Sequence, residues 1–399
     1  MSEANEKLLE MLSSLCVFRD VLSAPVVSAL IKFLEHGSDD AAKIGLYCEF
    51  ANRLYLTGKT DFSEYVADLV RFGDDPLLRL AAAKKPLPKV MKESADRELE
   101  ILSRLASLTP ESLKSGLKYS GALPEWDCSK IDLSAEFEER LSNIEKHGFG
   151  IYAKYRAFRL SDEGILPINT PDPVRLGDLI GYQREKKLII DNTRALLEGK
   201  PAANILLTGD AGTGKSSTVK AVVNELFGEG LRILELKKEQ LHRLPEVLGE
   251  LNLNPLKFII FIDDLSFTRN DDDFSALKAT LEGSVSAKAK NVVIYATSNR
   301  RHLVKESFSE RDGDDIHHSD TVQETVSLSE RFGLRITFSR PDKATYIEIA
   351  RKLLEENGVT CPPEKLEAAA ERFALSRSSR SARAARQFVD SVLSGAETL

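Results

Sequence analysis

The sequence predicts an α/β fold: a parallel sheet covered by helices on both faces, preceded by an all-helical domain and followed by a short helical one. Three observations predict it. From Asn204 onward, short and almost wholly apolar runs alternate with helical segments, as buried parallel strands joined by crossover helices do. Before about residue 148 the apolar residues recur at helical spacing instead. After Pro341 no strand-like run remains. The 399 residues suit two or three domains, expected at 1–147, 148–340 and 341–399.

In the first domain Leu8, Met11, Leu12, Leu15, Phe18 and Leu22 keep one helical period. Val27, Leu30, Ile31 and Leu34 continue it until Gly37, and Ile44, Tyr47, Phe50, Ala51 and Leu54 form the next face. Further helices are expected over 62–72, 76–83 and 90–107. Asp75 before Pro76 reads as an N-cap followed by proline at the first helical position. Two stretches then read as connections: LPEWDCSK around Trp126, and residues 166–182, where Pro167, Pro171 and Pro173 disfavour helix and strand interiors. The expected strands are NILLTG, LRILEL, KFIIFIDD, NVVIYATSN and LRITFS.

Between the first of these strands and the helix SSTVKAVVNELF lies GDAGTGKS, a Walker A phosphate-binding loop in its proper setting. Gly209, Gly212 and Gly214 let backbone N–H groups of Asp210, Ala211, Thr213 and their neighbours wrap phosphate with no Cβ in the way. The helix that starts near Lys215, Ser216 and Ser217 adds its positive dipole end. Lys215 supplies charge for the β- and γ-phosphates, and Ser216 a hydroxyl for Mg²⁺. The loop therefore predicts binding of ATP with magnesium. KFIIFIDD ends in Asp263, a second holder of Mg²⁺, and in Asp264, placed to act as general base or to orient the attacking water. NVVIYATSN ends in Asn299, an amide at the carboxy-terminal edge of a parallel sheet, where ligands bind.

This succession resembles the AAA+ ATPases. The resemblance implies a five-stranded sheet in the order 5-1-4-3-2 and a helical lid. It also implies an arginine finger at Arg331, in LSERFGL, reaching the nucleotide of a neighbouring subunit in a homo-oligomer. A lid arginine is implied at Arg383, with Arg380 and Arg386 as alternatives. More closely, YRAFRL, GDAGTGKSSTVKA, FIDDLSF, YATSNRRHL and SARAARQF are similar to a bacterial family of predicted AAA+ ATPases, domain of unknown function 815. That likeness covers about 149–392 and suggests Leu179, Ile180, Gly181 and Tyr182 beside the adenine. Two departures stand out. Asp264 replaces the usual glutamate, which suggests slow turnover or a nucleotide-gated switch. The place of a threading pore loop reads LELKKEQLHRLP, without an aromatic, which speaks against polypeptide threading.

The composition limits the remaining classes. A net charge of −7 leaves no chain-wide basic footprint for nucleic acid, so a DNA-associated loader is the less favoured alternative. RSSRSARAAR reads as lid, not as a DNA contact. Four scattered cysteines suit a reducing cytosol. No basic-then-apolar leader and no membrane-spanning run are visible, so a cytoplasmic location is expected. His317 and His318, among the acids of 311–320, read as a surface loop and not a metal site; Arg300, Arg301 and 269–273 read as surface too. The expectation is an oligomeric Mg²⁺-dependent ATPase that remodels or loads an unidentified protein partner, recognised by the helical domain.

Overall fold

The computed structural model describes residues 3–37, 41–115, 117, 119, 121–265, 277–281, 290–299, 331–377 and 379–399. It divides into two compact units, Met1–Lys154 and Tyr155–Leu399.

The first unit is helical, with its longer helices at Pro25–Glu35, Ala41–Leu56, Phe62–Arg71 and Lys89–Ala106. Asp75 caps Pro76–Ala82 by accepting from the N–H groups of Leu77 and Leu78 at 2.9 and 3.0 Å. Two expectations are corrected here. The opening apolar period does not make one helix: Glu3–Ser13 ends and a 3₁₀ turn at Arg19–Ser23 follows. The cause is the buried Glu98, whose carboxylate accepts from the N–H groups of Cys16, Val17 and Phe18 at 2.9–3.1 Å. Those bonds satisfy backbone donors that the helix would otherwise have used. Nor is LPEWDCSK a bare connection. Trp126 is buried in the helical core beside Tyr47 and Phe50, with ring centroids 5.6 and 4.9 Å away, and its Nε1 donates to the Leu108 carbonyl at 2.8 Å.

The second unit is built on one sheet. Its strands are β1 (Ala157–Ser161), β2 (Gly164–Pro167), β3 (Ile205–Gly209), β4 (Leu231–Glu235), β5 (Lys257–Ile262), β6 (Val292–Ser298) and β7 (Leu334–Phe338). They lie in the order β2-β1-β4-β5-β6-β3-β7. Among the described residues the sheet therefore has seven strands and not the five expected. The five anticipated strands run β7-β3-β6-β5-β4, all parallel, in the relative order expected; β1 extends it parallel to β4, and β2 returns antiparallel to β1. The hairpin forms because Phe158 and Leu160 face the core while Arg159 is exposed, and Gly164 takes φ +114° at the turn. It reaches into the segment read as linker.

Helices α1 (Gln183–Leu197), α2 (Lys215–Leu226) and α3 (Leu244–Asn252) accompany the sheet. Ile189, Val219, Val222 and Val223 meet Ile205, Leu207, Ile233 and Phe261 in a shared core, where burial of each large aliphatic side chain contributes about 1.5–3 kcal/mol. Helices α4 (Lys343–Glu356), α5 (Pro363–Ser376) and α6 (Ala382–Leu393) pack around Tyr346, Phe373 and Phe388 as a separate bundle. Among the described residues no helix is long and apolar enough to cross a membrane, and no cluster of His, Cys, Asp and Glu has metal-binding geometry. The pairs Arg300–Arg301 and His317–His318, with the acids around them and at 271–273, lie outside the described residues.

Candidate nucleotide site

The glycine-rich loop leaves β3 and enters α2 at the carboxy-terminal edge of the sheet. Gly209, Gly212 and Gly214 take φ of +137°, +77° and +90°, the region that side chains adopt at a penalty of roughly 1–2 kcal/mol. Space demands two of them as well. A Cβ on Gly209 would lie 2.1 Å from the Phe338 carbonyl oxygen, and one on Gly212 2.8 Å from Cβ of Arg383. Gly214 is the N-cap of α2 and offers no side-chain cap. The N–H groups of the first turn thus keep their capacity for an anion.

Lys215 is buried, and its Nζ donates to the carbonyls of Gly209 and Asp210, both at 2.8 Å, and to Oδ1 of Asn299 at 3.0 Å. Burial lowers its pKa, opposed by the charges of Asp263, Asp210 and Asp264. The amide of Asn299 turns its Nδ2 to Oδ1 of Asp264 at 2.8 Å. One chain of contacts therefore joins Lys215, Asn299 and Asp264. Beside it, Ser216 donates to Oδ1 of Asp263 at 2.7 Å. A hydroxyl and a carboxylate in contact are the oxygen donors that Mg²⁺ takes.

Thr297 is a residue that sequence reasoning missed. Its hydroxyl donates to Asp263 at 2.5 Å and accepts from the N–H of Asp264 at 2.9 Å. It precedes Asn299 by two residues, the repeat of a strand face, and that was the available signal. Asp264 sits at φ +53°. Aspartate and asparagine tolerate this left-handed conformation better than most residues, which gives a backbone reason for aspartate here.

These groups open into one cleft of about 780 Å³. Leu179, Ile180, Gly181 and Tyr182 line it, as do Ala211–Thr218 of the loop and helix, Asp263, Asp264, Asn299, Arg383 and Arg386. Arg380 is instead held by Glu371, at 2.7 and 2.9 Å. The apolar lining from Val174, Ile349 and Leu353 was not anticipated. Tyr182 is the N-cap of α1 at φ +55°, its ring lies tilted with its centroid 4.9 Å from that of Phe338, and it donates to the Ser339 carbonyl at 2.5 Å; burial pushes its pKa up to about 12. Lys186, one turn on, donates to the Leu179 carbonyl at 2.6 Å, and burial lowers its pKa. The carboxy-terminal helical bundle meets the loop directly: Ser381 caps α6, and the N–H of Arg383 donates to the Gly212 carbonyl at 3.3 Å.

Asp210 and Arg331 do not line this cleft. The Asp210 carboxylate pairs with Nε of Arg340 at 2.9 Å. Arg331 precedes β7, at the other end of the sheet. The register from Ile205↔Leu334 to Gly209↔Phe338 places the loop four residues farther along the strand, about 13 Å at the rise of a strand. There Arg331 lines a second cavity with Asn204, Val292 and Gly333.

The family model described as "Protein of unknown function (DUF815)" matches residues 153–396. No curated protein matches the chain. Among solved structures, the chain is similar to the Thermotoga maritima RuvB Holliday junction branch migration motor, at 17% identity and TM-score 0.38, over 56% of this chain and 65% of that one. A point mutant of T. maritima RuvB matches at 16% identity and TM-score 0.39, with the same coverage. A chain of the Escherichia coli MS115-1 HORMA:CdnC:Trip13 complex matches at 15% identity and TM-score 0.39, over 56% of this chain and 93% of that one. The chain thus spans about two thirds of the RuvB chains, just under that share at 65%.

Proposed function

The chain belongs to the DUF815 family, and we propose that it binds ATP with Mg²⁺ in the cleft above β3 and hydrolyses it to ADP and phosphate as a homo-oligomer. The observation that carries this reading is the convergence of the uncapped α2 amino terminus, the Ser216–Asp263 pair and the Lys215–Asn299–Asp264 chain in one cleft.

In this reading the loop N–H groups hold the phosphates, and Lys215 exchanges its carbonyl partners for the β- and γ-phosphate oxygens. Ser216 and Asp263 hold Mg²⁺, which supplies charge neutralisation on those oxygens. Asp264 and Asn299 orient the attacking water once Lys215 has left Asn299. Leu179–Tyr182 flank the base, and Arg383 approaches the phosphates from the lid. Arg331 lies too far along the sheet to serve its own loop, so it acts on a neighbour's nucleotide, where it spreads transition-state charge. The helical first unit recognises a protein partner that the ATPase remodels or loads.

A second reading is a nucleotide-gated switch with little turnover. Its support is Asp264, which is shorter than glutamate and engaged with Asn299. One experiment separates the two. Single-turnover hydrolysis is measured across protein concentration, and Asp264→Asn and Arg331→Ala are then mixed. An oligomeric ATPase gives a rate that rises with concentration, and the mixture recovers activity that neither variant has alone. A flat, negligible rate favours the switch. A mixture as inactive as its parts refutes action in trans.

A further inference from the structure

Asp210 is an acid inside a loop whose expected ligand is a polyanion. Its backbone serves the loop, since the carbonyl accepts from Lys215 and from the Thr213 hydroxyl at 2.8 and 2.9 Å. Its carboxylate is turned onto Nε of Arg340 at 2.9 Å. Arg340 stands at a particular place: β7 ends at Phe338, and the lid helix α4 is capped by Asp342. The same stretch is gripped twice more. Gly209 is pressed against Phe338, and Tyr182 holds the Ser339 carbonyl.

Resting on the ATP-binding reading, we propose that Arg340 is a positioning residue for the nucleotide: it holds the Asp210 carboxylate away from the triphosphate and ties the first turn of the loop to the hinge of the lid. The pair is about half exposed on both sides, at 59% and 50%. Such pairs contribute little to folding, so the effect of Arg340 falls on ligand affinity and not on stability. The Asp210 charge is felt inside the site, because it is among those that favour the charged form of Lys215. Without Arg340, that carboxylate is free to repel the phosphates and to compete with them for Lys215.

The test is a titration of the full chain with mant-ATP and Mg²⁺, with melting followed in parallel. Arg340→Ala is expected to weaken binding about fivefold, as removal of one screened charge near a polyanion does, and to leave the melting temperature unchanged. Asp210→Asn is expected to bind at least as tightly as the wild type, and Asp210→Asn with Arg340→Ala to return within about twofold of it. Arg340→Gln, which keeps the stem, is expected to reproduce Arg340→Ala and serves where the alanine variant does not fold. Wild-type affinity in Arg340→Ala or Arg340→Gln overturns the proposal. So does a double variant as weak as Arg340→Ala, which makes the role independent of Asp210. Lys215→Ala in the same titration keeps the two readings apart. If it binds like wild type, the ATP reading fails and this inference falls with it. If it does not bind while Arg340→Ala binds normally, the inference alone is overturned.

Discussion

Gly212→Ala tests how the lid meets the loop. At φ +77° an alanine is disfavoured by roughly 1–2 kcal/mol. Its Cβ would also stand 2.8 Å from Cβ of Arg383 and 3.1 Å from Oγ of Ser381. Neither contact is the end of a long flexible chain, so α6 must retreat or the loop must deform. The Arg383 N–H bond to Gly212, already 3.3 Å long, is the first to go. A penalty of that size, drawn on when the loop closes around phosphate, weakens nucleotide binding about 5- to 30-fold. The control is Gly199→Ala, at φ +71° with no atom within 4 Å of the added Cβ. It carries the backbone penalty without the steric push. Mant-ATP titration and thermal melting of both variants decide the matter. Both should melt below wild type, and only Gly212→Ala should lose affinity. Equal affinity for the two variants, or a Gly212→Ala protein indistinguishable from wild type, would refute the direct packing of lid on loop.

Other outcomes follow from the same structure. Asp264→Asn should retain ATP binding and lose about 10²-fold or more in turnover, the scale of a positioned acid–base group; single-turnover hydrolysis with unchanged affinity is the check. Asp75 should make the first unit pH-sensitive. Burial pushes its pKa from 3.8 up to about 6, so it holds its proton more tightly folded than unfolded. Its stabilisation is whole below pH 3.8 and is lost as pH rises through 6, a change of about 3 kcal/mol. Urea unfolding followed by Trp126, the single tryptophan of the chain, should show that loss between about pH 4 and 7 in wild type and not in Asp75→Asn. Glu98→Ala should destabilise the same unit by about 3 kcal/mol or more, because it leaves the buried N–H groups of Val17 and Phe18 and the partly buried one of Cys16 without an acceptor; the same fluorescence transition reports it.

The strands around the loop were legible because each is a nearly unbroken apolar run, and such runs need both faces covered. Loop, strand ends and lid arginines could be placed because their spacing is local. What escaped depends on distant partners. The β1–β2 hairpin is two short strands carrying the exposed Arg159 and a glycine turn, and only the edge of β4 gives it a place. The end of the first helix is set by Glu98, some eighty residues away, and the apolar period runs through it unchanged. Trp126 lies among turn-forming residues, and its burial depends on the aromatic rings of other helices. Thr297 and Arg340 bear common side chains, whose roles emerge only when the sheet brings Asp263 and Asp210 beside them.

Isothermal titration of Mg²⁺-ATP into the wild-type chain and into Lys215→Ala tests the central claim most directly. Saturable binding of one nucleotide per chain is expected, weakened about 100-fold or more when the buried ammonium is removed, since a charge-assisted contact to phosphate is lost in a site sheltered from water. Equal affinity in the two proteins, or no binding by the wild type, would contradict it.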